Sequence, residues 1–438
     1  MLYGKFTIIT NFVILLLQLQ IILNQRRIVV ILGSTGSIGV NALKIAKQFG
    51  MQIEALVCGN NISLLNNQIE QFSPRFIGIS SDKYLSKLQA RDCEVFVGSK
   101  EICNMIHKCQ SKHILNSVIG FAGLPFSLET LKLNKKLILA NKESLVIAGA
   151  LIDNVIQKTQ EINQIKPLDS LDSKLDKLDE VPNLKATSYS IFPVDSEHFS
   201  LWYLLHSNPN QTKPDKLIIT ASGGALRDMP IHKIKHASLQ DVLKHPTWSM
   251  GQKITIDSAT FVNKLYEIIE SYWLFNTTDI DAIIERSSLV HALVEYPNGI
   301  ISALLSPNDM RIPLAYSMNL EKAKKRFDMQ TLKLQDFARI CFQEIDINRY
   351  PLWAYKDALL ATPQLGIVLN AGNEILQNLF LEGKIAFGAF SEVLAQILEH
   401  FMKQYLSIKR LEDILELHKE AGKLAYFLLK TNNINKTC

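Results

Sequence analysis

The chain has 438 residues, 47% hydrophobic and 20% charged, which excludes a disordered protein and leaves room for roughly two to three domains. Its 20 glycines and 14 prolines exclude a collagen-like or low-complexity chain, and a net charge of +5 is too mild for an obligate nucleic-acid binder while suiting anionic small molecules. Six cysteines (Cys58, Cys93, Cys103, Cys109, Cys341, Cys438) form no CxxC pair, which argues against a zinc site or disulfide framework and for reduced thiols in a cytoplasmic protein.

In chain order, the first feature is the apolar run Phe6–Leu23, interrupted by Asn11, Gln18 and Gln20 and followed by Arg26 and Arg27. It is about long enough to cross a bilayer, but no small-residue cleavage site follows. One reading is a membrane anchor or a plastid-type targeting segment. The favoured one is an added leader, residues 1–25, on a bacterial cytoplasmic protein, because a strand pattern starts at Arg27.

From Arg27 to Ala140, apolar runs alternate with amphipathic ones. RIVVIL (27–32), QIEALV (52–57), FIGI (76–79), EVFV (94–97), SVIG (117–120) and LILA (137–140) read as buried strands with helices between them. That alternation predicts an α/β fold, a Rossmann-like doubly wound parallel sheet, over residues 26–156. Residues 187–320 mix strands with one long helix and predict an α+β domain, 321–345 a linker, and 346–438 a helical domain. Between the first two lies an insertion, 157–186, in which Leu168, Leu171, Leu175 and Leu178 are each followed by aspartate and bracketed by Pro167 and Pro182. The spacing favours an amphipathic helix docked loosely outside the enzyme over a mobile acidic loop.

Three motifs carry chemistry. The first strand runs into Gly33-Ser34-Thr35-Gly36-Ser37-Ile38-Gly39 and then a helix, where glycines permit a tight turn and a free helix N-terminus receives a phosphate. The second strand ends before Cys58-Gly59-Asn60-Asn61, with no carboxylate to repel a 2′-phosphate, which favours NADP over NAD. The second motif is Asp195-Ser196-Glu197. Residues two apart point the same way in extended structure, so both carboxylates converge on a hard cation if Ile191–Val194 is a strand end; taken alone, caps of a helix 197–206 are the simpler reading. The third is a predicted helix from Ser258, its N-cap, to Phe275. Phe261, Leu265, Ile268, Ile269 and Tyr272 form its apolar face, with Asn263, Lys264, Glu267 and Glu270 opposite, the latter otherwise an ordinary solvated face. Before it, His245-Pro246-Thr247-Trp248-Ser249-Met250-Gly251 reads as a lid.

GSTGSIG (33–39), LANKESLV (139–146), FPVDSEH (192–198), TASGG (220–224), HPTWSMGQKITIDSATFVNK (245–264) and PNDMRIPLAY (307–316), taken in this order, resemble the 1-deoxy-D-xylulose 5-phosphate reductoisomerase family, and YPLWAYKDALL (350–360), GIVLNAGNEI (366–375) and GKIAF (383–387) resemble its C-terminal helical region. That family isomerises a ketose phosphate and reduces the branched aldehyde with NADPH to 2-C-methyl-D-erythritol 4-phosphate, using a divalent metal (Mg, Mn or Co), and the resemblance implies a homodimer. It implies that Asp195, Glu197 and Glu267 hold the metal, and that these three with Lys142 and His245 carry catalysis. It assigns the substrate phosphate to Ser222, Ser258, Asn263 and Lys264, further substrate contacts to Ser196, Lys142 and His245, and the closing loop to Trp248 and Met250. It gives NADPH to Thr35, Gly36, Ser37, Ile38, Gly59, Asn60, Asn61, Asn141, Glu143 and Gly251. Departures are Asn60 for a basic residue, Leu265-Tyr266 for Gly-Leu, Ala225 for proline, and Glu285-Arg286-Ser287 for His-Pro-Gln; Glu270 is a competing ligand ranked below Glu267. A simple NADP-dependent dehydrogenase and an inactive nucleotide-binding scaffold are the alternatives.

Overall fold

The computed structural model describes residues 27–165, 190–208, 212–248, 250–325 and 327–431. The apolar leader and the leucine–aspartate pattern of 168–179 therefore lie outside the described residues.

Seven parallel strands build the first sheet: β1 (Ile28–Leu32), β2 (Gln52–Cys58), β3 (Phe76–Ile79), β4 (Glu94–Val97), β5 (His113–Asn116), β6 (Lys136–Leu139) and β7 (Ile191–Pro193), in the order β4-β3-β2-β1-β5-β6-β7. β1 is apolar throughout because both of its faces are covered. Val29 and Ile31 point into a core shared with the helices Ser37–Gln48 and Ile62–Phe72, while Val30 and Leu32 point into a core shared with Gly98–Lys108. Leu314, Ala315 and Met318, from a helix far along the chain (Arg311–Met318), complete the first of these cores.

The fifth strand lies four residues before the predicted SVIG. Ile114 and Leu115 are fully buried and pair with β1, whereas Ile119 is 74% exposed and Gly120 turns the chain with φ +70°. Asn116 Nδ2 donates to Gly123 O at 2.8 Å and Ser127 Oγ at 2.9 Å, fixing the turn that ends the strand. The helix Glu143–Ile165 kinks at Ala148 and runs on through the first residues of the stretch predicted as an insertion.

The second sheet has the order β11-β10-β8-β9-β12, with β8 (Lys216–Ala221), β9 (Ile280–Glu285), β10 (Val290–Glu295), β11 (Ile301–Leu305) and β12 (Phe342–Gln343). Only β8 and β9 run parallel. The predicted single helix 258–275 is two helices, Gln252–Thr260 and Val262–Phe275, joined at Phe261 in the left-handed region (φ +68°). Phe261 is buried against Tyr350, 4.3 Å between ring centres, and packing there overrides the continuous helical pattern of the sequence. The last part of the chain is helical, as predicted, with long helices Leu365–Leu381, Ala389–Phe401 and Leu411–Thr431.

Candidate active site

A cleft opens where the turn after β1, the end of β7, the end of β8 and the two helices joined at Phe261 meet. Parallel strands present their carboxyl ends on one edge, which is where open α/β sheets hold ligands.

Asp195 leaves β7 and caps the helix Ser196–His206, its Oδ1 accepting from the Glu197 and His198 N–H groups. The pair is therefore at a helix N-terminus, not in extended backbone as the motif suggested. The capping reading holds, and so does the convergence: ligand oxygens of Asp195, Glu197 and Glu267 all lie within 4.8 Å of one another. An all-oxygen donor set of this kind fits a hard divalent cation. Glu267 comes from the second of the two joined helices, which has no solvated face: Lys264, Glu267 and Glu270 are 4%, 1% and 3% exposed. Glu270 lies one turn on, its Oε2 3.6 Å from His198 Nδ1.

Two ammonium groups balance the carboxylates. Lys142 Nζ donates to Asn263 Oδ1 at 2.7 Å, Asp195 Oδ2 at 3.1 Å and Glu267 Oε1 at 3.2 Å. Lys264 Nζ bonds to Glu267 Oε2 and to Thr220 O, and lies 3.5 Å from Glu197 Oε1. Asn263 Nδ2 also donates to Glu267 Oε1. Burial alone would raise the Asp195 pKa, but Lys142, His198 and Lys264 hold it below the usual carboxylate range. Glu197 goes the other way: burial, with Glu267 and Asp195 adding to it against Lys264, pushes it up to about 8. Ser196 Oγ donates to Glu197 Oε2 at 2.6 Å.

Beyond the carboxylates, Ser222 Oγ and Ser258 Oγ lie 3.0 and 3.2 Å from His245 Nε2. The Thr247 and Trp248 N–H groups donate to His245 Nδ1, so the imidazole proton sits on Nε2 and points at the two hydroxyls. Burial, aided by Arg227, pushes the His245 pKa down to about 4 and keeps the ring neutral. Ser258 is not an N-cap. It stands in the last turn of the first helix, because the chain breaks at Phe261. Trp248, Met250 and Gly251 line the cleft on this side.

Across the cleft, Ser37 and Ile38 open the helix after the glycine turn. A Cβ on Gly33 (φ +85°) would meet Ser117 O at 2.7 Å, and one on Gly39 would meet Gly33 O at 2.4 Å, so both positions require glycine. Gly36 caps the helix without any side-chain bond and no acid stands in its first turn, leaving N–H groups turned toward an anion. This cradle fits a dinucleotide pyrophosphate. Thr35 lies within the same turn, and Gly59 and the exposed Asn60 follow β2.

Asn61, Asn141 and Glu143 already have structural partners. Asn61 Oδ1 caps the helix Ile62–Phe72 through Leu64 N. Asn141 Nδ2 donates to Gly120 O at 2.9 Å, and Glu143 Oε1 accepts from Gly120 N at 3.1 Å, pinning the loop after β5. The site also includes residues the motif reading passed over, notably Thr220, Ile254, Phe261, Ser288 and Met310. All but Ser288 sit inside the quoted blocks, so motif membership was the signal that could have found them.

Fold and site define a dinucleotide-binding α/β enzyme with a carboxylate site suited to a divalent cation. Likeness to known proteins extends block by block along the chain. The profile of 1-deoxy-D-xylulose 5-phosphate reductoisomerase matches residues 29–149, and the profiles of two C-terminal domains of the same enzyme match 191–275 and 305–424. The reductoisomerase of Helicobacter pylori strain G27 is 47% identical over 393 residues, covering 89% of this chain and 97% of that one. That of Wolinella succinogenes is 44% identical over 400 residues, covering 91% and 100%. Among solved structures, a DOX-P reductoisomerase in complex with NADPH, fosmidomycin and magnesium superposes with a TM-score of 0.77 at 28% identity, over 92% of this chain and 99% of its own. The Zymomonas mobilis enzyme in complex with NADPH gives 0.78 at 26% identity, over 93% and 100%. The chain belongs to the 1-deoxy-D-xylulose 5-phosphate reductoisomerase family.

Proposed function

We propose that this chain converts 1-deoxy-D-xylulose 5-phosphate to 2-C-methyl-D-erythritol 4-phosphate with NADPH and a divalent metal (Mg, Mn or Co). The observation that carries the reading is the carboxylate trio Asp195, Glu197 and Glu267, set between a hydroxyl–imidazole cluster on one side and the glycine turn on the other. When bound, the metal would supply Lewis acidity at the carboxylate trio, and NADPH would supply the hydride for the reduction.

The trio holds the metal, and Lys142 keeps Asp195, Asn263 and Glu267 in one geometry while offsetting their charge. Ser222, Ser258, Asn263 and Lys264 hold the substrate phosphate, with His245 donating its Nε2 proton as a neutral ring and Ser196 contacting the sugar. Trp248 and Met250 lie over the cleft and exclude water. Thr35, Gly36, Ser37, Ile38, Gly59, Asn60 and Gly251 contact NADPH. Asn61, Asn141 and Glu143 shape the same pocket through the helix and loop they fix. A plain NADP-dependent dehydrogenase would have no use for the trio. We also propose a homodimer in the bacterial cytoplasm; among the described residues no helix is long and apolar enough to cross a membrane. Metal removal tests the reading: chelation should stop turnover, and added Mg, Mn or Co should restore it.

A further inference from the structure

The two helices that meet at Phe261 carry different ends of the site: Ser258 on the first, and on the second Asn263 and Lys264, of the same phosphate set, together with Glu267 of the trio. Behind them, away from the cleft, runs a buried polar ladder that the chemistry above does not use. Asn370, Asn373 and Gln377 lie on one face of the helix Leu365–Leu381, at spacings of three and four, and are 1%, 1% and 3% exposed. Asn373 Nδ2 donates to Asp257 Oδ1 at 2.8 Å, and Gln377 Nε2 donates to the same oxygen and to Lys253 O at 3.2 Å. On the other side of the joint, Tyr266 OH donates to Asn370 Oδ1 and accepts from Asn373 Nδ2, both at 3.3 Å. One helix of the C-terminal bundle thus grips both halves of the broken helix.

Among the described residues Asn370 Nδ2 and Asn373 Oδ1 have no partner, so the bonds that hold the ladder are the ones named above, and losing one would leave a further buried group unpaired. A left-handed joint at a non-glycine residue is also costly unless its surroundings enforce it. Asp257 immediately precedes Ser258, and Tyr266 immediately precedes Glu267. Burial, against the amide donors Asn373 and Gln377, raises the Asp257 pKa to about 7. Tyr266 stands where the resemblance leads one to expect leucine, so the hydroxyl that completes the ladder is a feature of this sequence.

We propose that Asp257 and Tyr266 are positioning residues: through Asn370, Asn373 and Gln377 they fix the angle at Phe261, and so the placement of the Ser258 end of the site against the end formed by Asn263, Lys264 and Glu267. The inference rests on the roles proposed above for Ser258 and Glu267. A ligand that spans both ends should sense a loosened joint, whereas NADPH should not.

The test compares the parent chain with Tyr266→Phe, which removes the hydroxyl, Asp257→Leu, which removes the accepting oxygen, and Asp257→Asn, which keeps an Oδ1 acceptor for Asn373 and Gln377. For each protein the Michaelis constants for the sugar phosphate and for NADPH are determined, together with amide hydrogen exchange over residues 258–267. Tyr266→Phe and Asp257→Leu should raise the sugar-phosphate Michaelis constant about 5- to 10-fold, the size of one lost buried hydrogen bond, and leave that for NADPH within about twofold. Exchange over 258–267 should quicken in these two variants while that of β1 stays unchanged, and Asp257→Asn should stay close to the parent in both readouts. Unaltered hydrogen exchange, or Michaelis constants that rise together for both substrates, would overturn the proposal. A parent chain with no turnover would instead overturn the assigned reaction, and hydrogen exchange alone would then decide the clamp.

Discussion

Lys142 Nζ lies 3.1 Å from Asp195 Oδ2, although 53 residues separate the two. The sheet explains it. β6 and β7 are parallel neighbours with Leu139 opposite Pro193, so the residues just past each strand emerge side by side at the same edge. Two of the quoted sequence blocks, LANKESLV and FPVDSEH, are thereby the ends of adjacent strands. The ammonium of one holds a carboxylate of the other in its charged form.

Glu267 and Glu270 are both buried glutamates one turn apart, yet they should respond differently to amidation. Glu267 contributes to the trio and receives Lys142, Asn263 and Lys264. Glu267→Gln should lower kcat by at least about a hundredfold, the scale seen when a group acting on the transition state is lost. Among the described residues Glu270 Oε2 accepts no hydrogen bond and lies 3.6 Å from His198 Nδ1, so Glu270→Gln removes no hydrogen bond at that oxygen and should keep activity within about threefold. Steady-state rates on the two variants check this. Equal losses in both would overturn the assignment of Glu267.

The pattern of apolar runs locates the sheet because strands covered on both faces must be apolar along their whole length, and β1 to β4 fall within a residue of the predicted runs. β5 departs from its predicted run because SVIG is as apolar as HILN, and only pairing with β1 distinguishes them. The break at Phe261 is not legible either. Phenylalanine carries no local signal for a positive φ, and the contacts that impose it come from Tyr350 and Trp353, far along the chain. Likewise, the expectation of a polar outer face on 262–275 presumes solvent, whereas that side faces the carboxylate cluster and the C-terminal helices. The residues of the trio are readable only through the family resemblance; spacing alone favours simple caps for Asp195 and Glu197.

Acid should weaken the fold through His291. It is 2% exposed, and burial pushes its pKa from 6.5 down to about 4, against the Ser306 carbonyl, which favours the charged form. The unfolded chain binds a proton there that the folded chain refuses, so stability rises with pH across this window and is lost as pH falls from about 6.5 toward 4. The full contribution is on the order of 3 kcal/mol. Melting curves from pH 7.5 to about 4.5 should show a steeper acid fall in the parent than in His291→Gln. Parallel curves would contradict the assignment.

Selectivity for NADPH over NADH should be present but modest. Asn60 is exposed just beyond β2, and residues 58–61 include neither a carboxylate to repel a 2′-phosphate nor a cation to attract it. Asn60→Lys should raise the ratio of kcat/KM for the two cofactors by about three- to tenfold, the value of one partly exposed charge pair. A preference for NADH in the parent, or no response in the variant, would show that selectivity lies elsewhere.

None of the site residues proposed above lies in the apolar leader or in the insertion. Removing residues 1–24 should leave an active enzyme, and replacing Pro167–Val181 with a short glycine–serine link should keep kcat within about threefold, since loop length costs little beyond closure entropy. A collapse in kcat on either change would mean that the segment helps to build the cleft.

The most direct test supplies the chain with 1-deoxy-D-xylulose 5-phosphate, NADPH and Mg²⁺, follows NADPH oxidation by its absorbance, and identifies the product by carbon NMR. The account predicts oxidation that ceases on chelation and resumes with added metal, yielding the branched 2-C-methyl-D-erythritol 4-phosphate. Oxidation that continues without metal, or a product with an unbranched carbon skeleton, would contradict it.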